Sequence, residues 1–587
     1  MQKYSDQVMR WLKDLGYTHC FFLAGGNIMH LLESASKEFK CIPFVHEVTA
    51  GIATEYFNEV KNSSGAKAFA LVTAGPGLTN IVTAMSGAFL ESRDLLVIGG
   101  QVKSLDLKPP ELRQNGIQEI DGISLVSSIC KATLQIRHPV SRKEFESAVL
   151  SGLQPKKGPV FIEFCLDAQA ANLVEETQDR NFEIISQPPI PSTSSTLRRL
   201  QESSRPVLLI GGGVSRKFML DNFASLEKLN IPLMTTWNGA DRIPSDSPMY
   251  FGRPNTWGQR SSNILLQQAD LVLAVGTRLG LQQTGFNWKN FVPLGDVIQI
   301  ELDEFELEKQ NPELVEQLQM DADAFLSLLI PNSPLPQTTE WIDFCRLVRQ
   351  TINLSEDANI SREGFINTYD FYLELSRNLN STDAIVPSSS GASETVAMQA
   401  LNQIAGNTVI TTKGLASMGY GLGGAIGAAF ATGSRVLHIE GDGGFAQNLQ
   451  DYGTVIINKL PIKTFIFCNG GYASIRMTQK SYFDGHYIGC DSDTGLLLPD
   501  WISFFGAYGI SPIELVASNP FSSKVLKELN SESPAVFLVP VDPEQSYFPK
   551  ITSTIMVGGG MQSNPLHLMT PDLPEDVKRI VFRYIEN

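Results

Sequence analysis

Apolar runs of strand length recur along the chain, and each gives way to a small-residue turn and then to a stretch with helical spacing. In residues 1–185 the runs are HCFFLAG, CIPFV, AFALVT, LLVIGG and PVFIEF; in residues 197–330 they are PVLLIGGG, DLVLAVGTR and DVIQIELD. From residue 365 a helical pattern, FINTYDFYLELSRNL, leads toward VLHIE and TFIFCN. Short continuous apolar strands alternating with helices are what a parallel sheet covered on both faces requires. Two proline-bearing breaks, QPPIPSTSST at 187–196 and PNSPLPQTT at 331–339, separate the sets. The pattern predicts an α/β chain of three doubly wound domains, 1–185, 197–330 and 365–587, which suits 587 residues.

Candidate chemistry gathers where predicted strands end. VLHIE runs into GDGG at 441–444, and twenty-five residues separate the GDG from Asn469, at the end of TFIFCN. In a βαβ unit those two strand ends lie side by side. Asp442, the Asn469 side-chain oxygen and the Gly471 carbonyl then form a candidate hard-cation site, with diphosphate oxygens completing an Mg²⁺ octahedron. Gly441, Gly443 and Gly444 leave the backbone open to phosphate at a helix start. GDGG alone is also an ordinary turn; the paired Asn separates the two readings. Glu47 follows CIPFV and opens TAGIATEYF, placing a carboxylate at a strand-to-helix junction, where a helix dipole alone also favours one. The glycine- and alanine-rich stretch 411–433, almost without charge, reads as a buried helix.

The GDG, twenty-five residue, Asn spacing resembles the thiamine diphosphate motif of the 2-keto acid decarboxylase and carboligase superfamily, with Gly470 where a second Asn is usual. That resemblance implies pyrimidine-binding, central and diphosphate-binding domains of the thiamine diphosphate enzyme fold. It makes Glu47 the acid against the cofactor pyrimidine, favouring the tautomer whose nitrogen removes the thiazolium C2 proton. GLASMGYG places Met418 at the wedge between the cofactor rings and the Ala416 carbonyl at the 4'-amino group. SSSGASE places Gly391 and Ser393 near the far end of the diphosphate, and the resemblance makes Ser474 a further cofactor-binding position. TAGPGLTN resembles a segment of acetolactate synthases, bringing in Thr73, Pro76 and Asn80; Gly25 and Gly26 match a pocket loop, and Gln118, in IQEID, an active-site Gln. PG and GG are otherwise generic turns, and Gln118 otherwise a surface residue. A homodimer or homotetramer is implied, since the pyrimidine domain of one subunit faces the diphosphate domain of another.

Departures bear on the acceptor. Ile117 stands for an aromatic residue, Gln479 for the Trp of a QWQ motif, and KSLDLKPPELRQNG precedes Gln118 like an insertion. No histidine lies in RQNGIQEID, unlike the His pair of pyruvate decarboxylase-like members. IRMTQKSYFDG resembles a divergent acetolactate synthase-like group associated with surface-sugar biosynthesis. In the central segment, Gly212, Gly213 and Arg278 match an FAD-binding domain, while RPNTWGQR departs from its contact segment; FAD, another nucleotide and an empty domain all stay open, and FAD would be structural.

Composition narrows the partners. Acidic residues outnumber basic ones 62 to 46, the net charge is −16, and no basic stripe invites nucleic acid. No apolar stretch approaches a membrane span, and MQKYSDQVMRWLKDLGY reads as a charged amphipathic helix rather than a signal peptide. Seven cysteines without CxxC spacing fit reduced thiols in a cytoplasmic protein. The expectation is a thiamine diphosphate and Mg²⁺ dependent enzyme that decarboxylates a 2-keto acid, pyruvate first, and joins the two-carbon unit to a second small carbonyl compound. The alternatives are another keto-acid decarboxylase or acyl-CoA lyase of the same fold, or a catalytically silent paralogue.

Overall fold

The computed structural model describes residues 2–60, 65–175, 190–309, 311–332, 338–388, 390–555 and 560–585. Parts of both sequence breaks, 187–189 and 333–337, lie outside the described residues.

Three parallel sheets follow one another. The first contains β1 Tyr17–Phe22, β2 Lys40–Pro43, β3 Lys67–Val72, β4 Leu95–Gln101, β5 Ala132–Ile136 and β6 Pro159–Cys165, ordered β2-β1-β3-β4-β6-β5. The central sheet contains β7 Pro206–Ile210, β8 Leu233–Thr235, β9 Leu271–Val275, β10 Asp296–Glu301 and β11 Glu316–Gln319, ordered β11-β10-β9-β7-β8. The third contains β12 Ala384–Pro387, β13 Thr408–Val409, β14 Val436–Gly441, β15 Ile462–Cys468, β16 Ile513–Glu514 and β17 Ala535–Pro540, ordered β13-β12-β14-β15-β17-β16. Counted within each domain, the first and third orders are identical. Their central strands are buried along their length, β4 at every position, which is why they read as unbroken apolar runs.

The outer domains meet through small residues. Helix Tyr420–Thr432 lies against helix Glu47–Glu59, and a Cβ at Gly427 would sit 2.1 Å from the Ala53 carbonyl oxygen. At Gly424 it would press on the Tyr56 ring at 2.6 Å. Of the nearly charge-free stretch 411–433, expected as a buried helix, only Tyr420–Thr432 is helical, because Ala416 and Gly419 take positive φ and leave 411–419 a loop; the helix's missing side chains set the distance between the domains.

RPNTWGQR fastens the central domain to the third. Arg253, 1 % exposed, donates to the carbonyls of Met398 (2.7 Å) and Leu401 (2.6 Å) and to Gln403 Oε1 (3.0 Å). Arg260 pairs with Glu356 and caps the Met569 and Pro571 carbonyls. The C-terminal helix Glu575–Val581 packs on helix Thr339–Thr351, within the central core. Among the described residues no helix is long and apolar enough to cross a membrane, and all seven cysteines are unpaired.

Candidate active site

In the first domain the chain leaves β2 and enters helix Glu47–Glu59 through His46, whose side chain accepts from Val48 N. Glu47 is 4 % exposed and accepts from Asn80 Nδ2 at 2.9 Å. Asn80 lies on helix Pro76–Leu90, begun by Pro76 after Gly75 at φ 61°. Gly25 backs directly onto Thr73: a Cβ there would stand 2.5 Å from Thr73 Oγ1, a buried hydroxyl with no partner. Gly75 meets the Gln118 carbonyl equally closely, and Gln118 itself takes φ 61°. Gly26 opens a short turn, with nothing near its Cβ position. The insertion-like run is tied down by Glu119, which accepts from the amides of Lys108 (2.5 Å), Gly116 (2.8 Å) and Asn115 (2.9 Å). Burial raises that carboxyl, but the three amides outweigh it and hold it below its ordinary range. Behind this segment Gln101 bridges the Ile120 carbonyl and Glu163, and burial pushes Glu163 up to about 7.

In the third domain β14 and β15 are parallel neighbours, with Gly441 opposite Phe467, so the GDG turn and Asn469 emerge together. Asp442, 2 % exposed, accepts from four backbone N–H groups: Gly443 (2.7 Å) and Gly471 (3.2 Å) on Oδ1, Gly470 (2.8 Å) and Asn469 (3.0 Å) on Oδ2. Burial lifts its carboxyl to about 6 against the pull of those amides. The Asn469 side-chain amide ends 3.0 Å from the Gly471 carbonyl oxygen and 3.2 Å from Asp442 Oδ1. With its nitrogen inward it donates to both. With its oxygen inward, three oxygens face one another with no proton between them, an arrangement that a hard cation satisfies. The donor set thus fits Mg²⁺. Gly443 is also required by packing, since a Cβ would strike the Tyr472 ring at 2.6 Å. Gly444 continues the same turn of helix.

Nearby, Gly391 at φ 65° lies where a Cβ would meet Ser474 Oγ at 2.6 Å and Tyr547 OH at 3.1 Å, and those two hydroxyls are 2.8 Å apart. Ser393 is buried, and its hydroxyl is spent on the Ser388 and Ser390 carbonyls. Ala416 adopts φ 51°, a strained value for a residue with a Cβ. Half-buried Met418 and Gly419 follow, the latter's carbonyl held by Asn448 Nδ2 at 2.6 Å.

The structure therefore brings Gly25, Glu47, Thr73, Pro76, Asn80 and Gln118 onto one domain and Asp442, Asn469, Gly471, Gly391 and Ser474 onto another. Among the described residues, the side-chain hydrogen bonds of each set stay within its own domain. Gln479 behaves differently from a pocket wall: its amide accepts from Ile488 N (3.0 Å) and donates to the Ile488 carbonyl (3.1 Å), closing the intervening loop. Tyr547 and Asn448 were not readable from sequence, because only folding brings them to the loops they hold.

Gly212, Gly213 and Arg278 line a cleft of about 1440 Å³ at the strand ends of the central sheet. Gly212 and Gly213 are exposed, and half-buried Arg278 has no side-chain partner among the described residues. Arg253 and Arg260 point away, into the contacts described above.

Residues 2–125 match the family description "Thiamine pyrophosphate enzyme, N-terminal TPP binding domain". Residues 193–329 match its central domain, and residues 389–539 its C-terminal TPP binding domain. The acetolactate synthase isozyme 2 large subunit of Escherichia coli (strain K12) is 27 % identical over 555 residues, covering 93 % of this chain and 96 % of the relative. The isozyme 1 large subunit of the same organism is 27 % identical over 573 residues, covering 94 % and 97 %. Acetolactate synthase 1, chloroplastic, of Zea mays is 25 % identical over 581 residues, covering 94 % and 87 %. The chain thus belongs, through all three of its domains, to the thiamine pyrophosphate enzymes.

Proposed function

We propose that the protein decarboxylates pyruvate and joins the two-carbon unit to a second carbonyl compound, with thiamine diphosphate and Mg²⁺. The observation that carries this reading is the convergence of Asp442, the Asn469 amide and the Gly471 carbonyl, whose oxygens can face a single cation when the amide turns its oxygen inward. When bound, thiamine diphosphate supplies the nucleophilic carbon and the sink for the electron pair left as CO₂ departs. The chain's own share is to hold and to orient. Asp442, Asn469 and Gly471 hold the cation; Gly441, Gly443 and Gly444 admit phosphate oxygens, and Gly391 and Ser474 stand near its outer end. Glu47, buried and held by Asn80, would hydrogen-bond a ring nitrogen of the cofactor. Ala416, at positive φ, would offer its carbonyl to the cofactor's amino group, and Met418 would support its rings. Thr73, Pro76 and Asn80 fix the wall that carries Glu47.

The first-domain and third-domain sets each present half of such a site, which supports completion by a second copy in a homodimer. Gln118, with no histidine in its segment, favours capture by an acceptor over protonation. The group associated with surface sugars makes a keto sugar nucleotide the acceptor class to try first. The cleft beside Gly212, Gly213 and Arg278 suits a structural nucleotide, FAD among them, and seven unpaired thiols suit a reducing, cytoplasmic compartment.

The test is CO₂ release from pyruvate by apoprotein resupplied with thiamine diphosphate and Mg²⁺ together and singly. Release that needs both supports the reading; no release with both, or equal release without metal, sinks it. Mixing the inactive variants Glu47→Gln and Asp442→Ala should restore up to a quarter of the activity if sites form between copies.

A further inference from the structure

The loop from Thr411 to Gly419 carries Ala416 and Met418, and its own chemistry gives it little to stand on. It contains two glycines and a non-glycine residue at positive φ, and its middle is at most half-buried. Its supports come from elsewhere. Arg93 Nη2 donates to the Thr411 carbonyl at 2.6 Å. Glu91 accepts from Gly414 N and, through its other oxygen, from Asn238 Nδ2 at 2.6 Å. Directly after the loop, Tyr420 OH donates to Glu55 Oε2 at 2.5 Å. Glu55 Oε1 in turn receives Arg93 Nη1 at 2.8 Å, an ion pair whose side chains are 0 % and 8 % exposed. These three grips, at the start, in the middle and just past the end of the loop, come from the first domain, while the third domain adds Asn448 on the Gly419 carbonyl and Glu394 on Thr411 and Lys413.

The fit is specific. A Cβ at Gly87 would lie 2.0 Å from Tyr420 OH, so only glycine there admits the hydroxyl. Arg93 also lies over the Tyr56 ring, 5.4 Å from its centroid. On the other side Thr411 Oγ1 donates to Glu394 Oε1 at 2.7 Å, joining the loop to the segment of Gly391 and Ser393. Buried charges are retained only where every partner is in place, since removing one strands the other.

We propose that Glu55, Glu91 and Arg93 are positioning residues that hold the Thr411–Gly419 loop in the shape in which Ala416 and Met418 meet the cofactor. They touch no substrate and act through the loop. The proposal rests on the reading that this loop faces thiamine diphosphate, and its test separates the two. Arg93→Met leaves Glu55 buried and unpaired and is a poor probe, because the chain can fail to fold. Tyr420→Phe, in the space Gly87 provides, and Glu91→Ala remove single grips.

In folded variants, amide hydrogen exchange of residues 411–419 in the apoprotein should rise about tenfold, with exchange elsewhere unchanged. Affinity for thiamine diphosphate with Mg²⁺ should stay within about threefold, because the metal ligands lie on another loop. kcat for pyruvate should fall at least tenfold at unchanged KM, and Glu55→Gln should retain more activity than Glu55→Ala. Unchanged loop exchange in both single-grip variants overturns the proposal, as does faster exchange with undiminished kcat. Wild-type protein that binds no thiamine diphosphate sinks the functional reading instead, while the exchange result still judges the grip.

Discussion

Replacing Asp442 by Asn keeps the side chain's shape and removes its charge. The carboxylate is 2 % exposed and accepts two backbone N–H groups on each oxygen. In Asn, one oxygen becomes a donor, so two of those groups face it without an acceptor whichever way the amide turns. A hydrogen bond to a charged group contributes roughly 1.5–3 kcal/mol, so two lost bonds cost about 3–6 kcal/mol of loop order. The proposed cation site also loses its one anionic protein ligand. At about 1.4 kcal/mol per tenfold, even the lower bound predicts on the order of a hundredfold weaker Mg²⁺-dependent binding of thiamine diphosphate. Asp442→Ala, which strands all four amides, should abolish it. Titration calorimetry with and without EDTA reads both. Asparagine-variant affinity within threefold of wild type and still sensitive to EDTA would refute the assignment of Asp442 as a ligand.

Glu47→Gln should bind the cofactor normally, because the metal ligands sit on the third domain, yet slow C2 hydrogen–deuterium exchange at least a hundredfold; near wild-type exchange removes Glu47 from the mechanism. Glu163 is buried and its carboxyl is raised from 4.5 to about 7, so between those values the folded chain holds a proton that the unfolded chain gives up. Stability from this group is therefore full below pH 4.5 and lost as pH rises through 7, by about 3 kcal/mol. Calorimetric melts of Glu163→Gln should lack that fall relative to wild type, and parallel pH profiles count against it. Gln479→Ala cuts two bonds to Ile488, about 2 kcal/mol together, and should speed exchange of the Ile488 amide roughly thirtyfold; no change there means that the clamp does not hold the loop. The same loss accompanies Gln479→Trp.

What was legible followed from how local the signal is. β4 and β15 are buried on both faces and announce themselves as apolar runs, whereas edge strands such as Thr408–Val409 and Ile513–Glu514 span two residues each and carry no pattern at all. Strand Ala132–Ile136 is half-buried and includes Gln135, so its run is broken. The Asp442, Asn469 and Gly471 cluster was readable because a βαβ unit fixes where its two strand ends lie. Tyr547, Glu394, Asn448 and Arg93 were not, since each reaches a cofactor-side loop from a distant element; Arg93 to Thr411 spans 318 residues. The Gln479 clamp was hidden for a related reason. Sequence gives the residue type in a helix, but the turn through Gly485 that brings Ile488 back to it appears only in the fold.

The measurement that bears most directly on the account is carbon NMR of the products that holoenzyme forms from pyruvate labelled at C2, alone and with keto sugar nucleotides, ketones, aldehydes and 2-keto acids added. Carboligation predicts slow turnover alone, with acetolactate or acetoin exceeding acetaldehyde, and faster pyruvate consumption with the label in a new carbon–carbon bond when a suitable acceptor is present. Acetaldehyde as the dominant labelled product across the whole panel would contradict it and leave a simple decarboxylase.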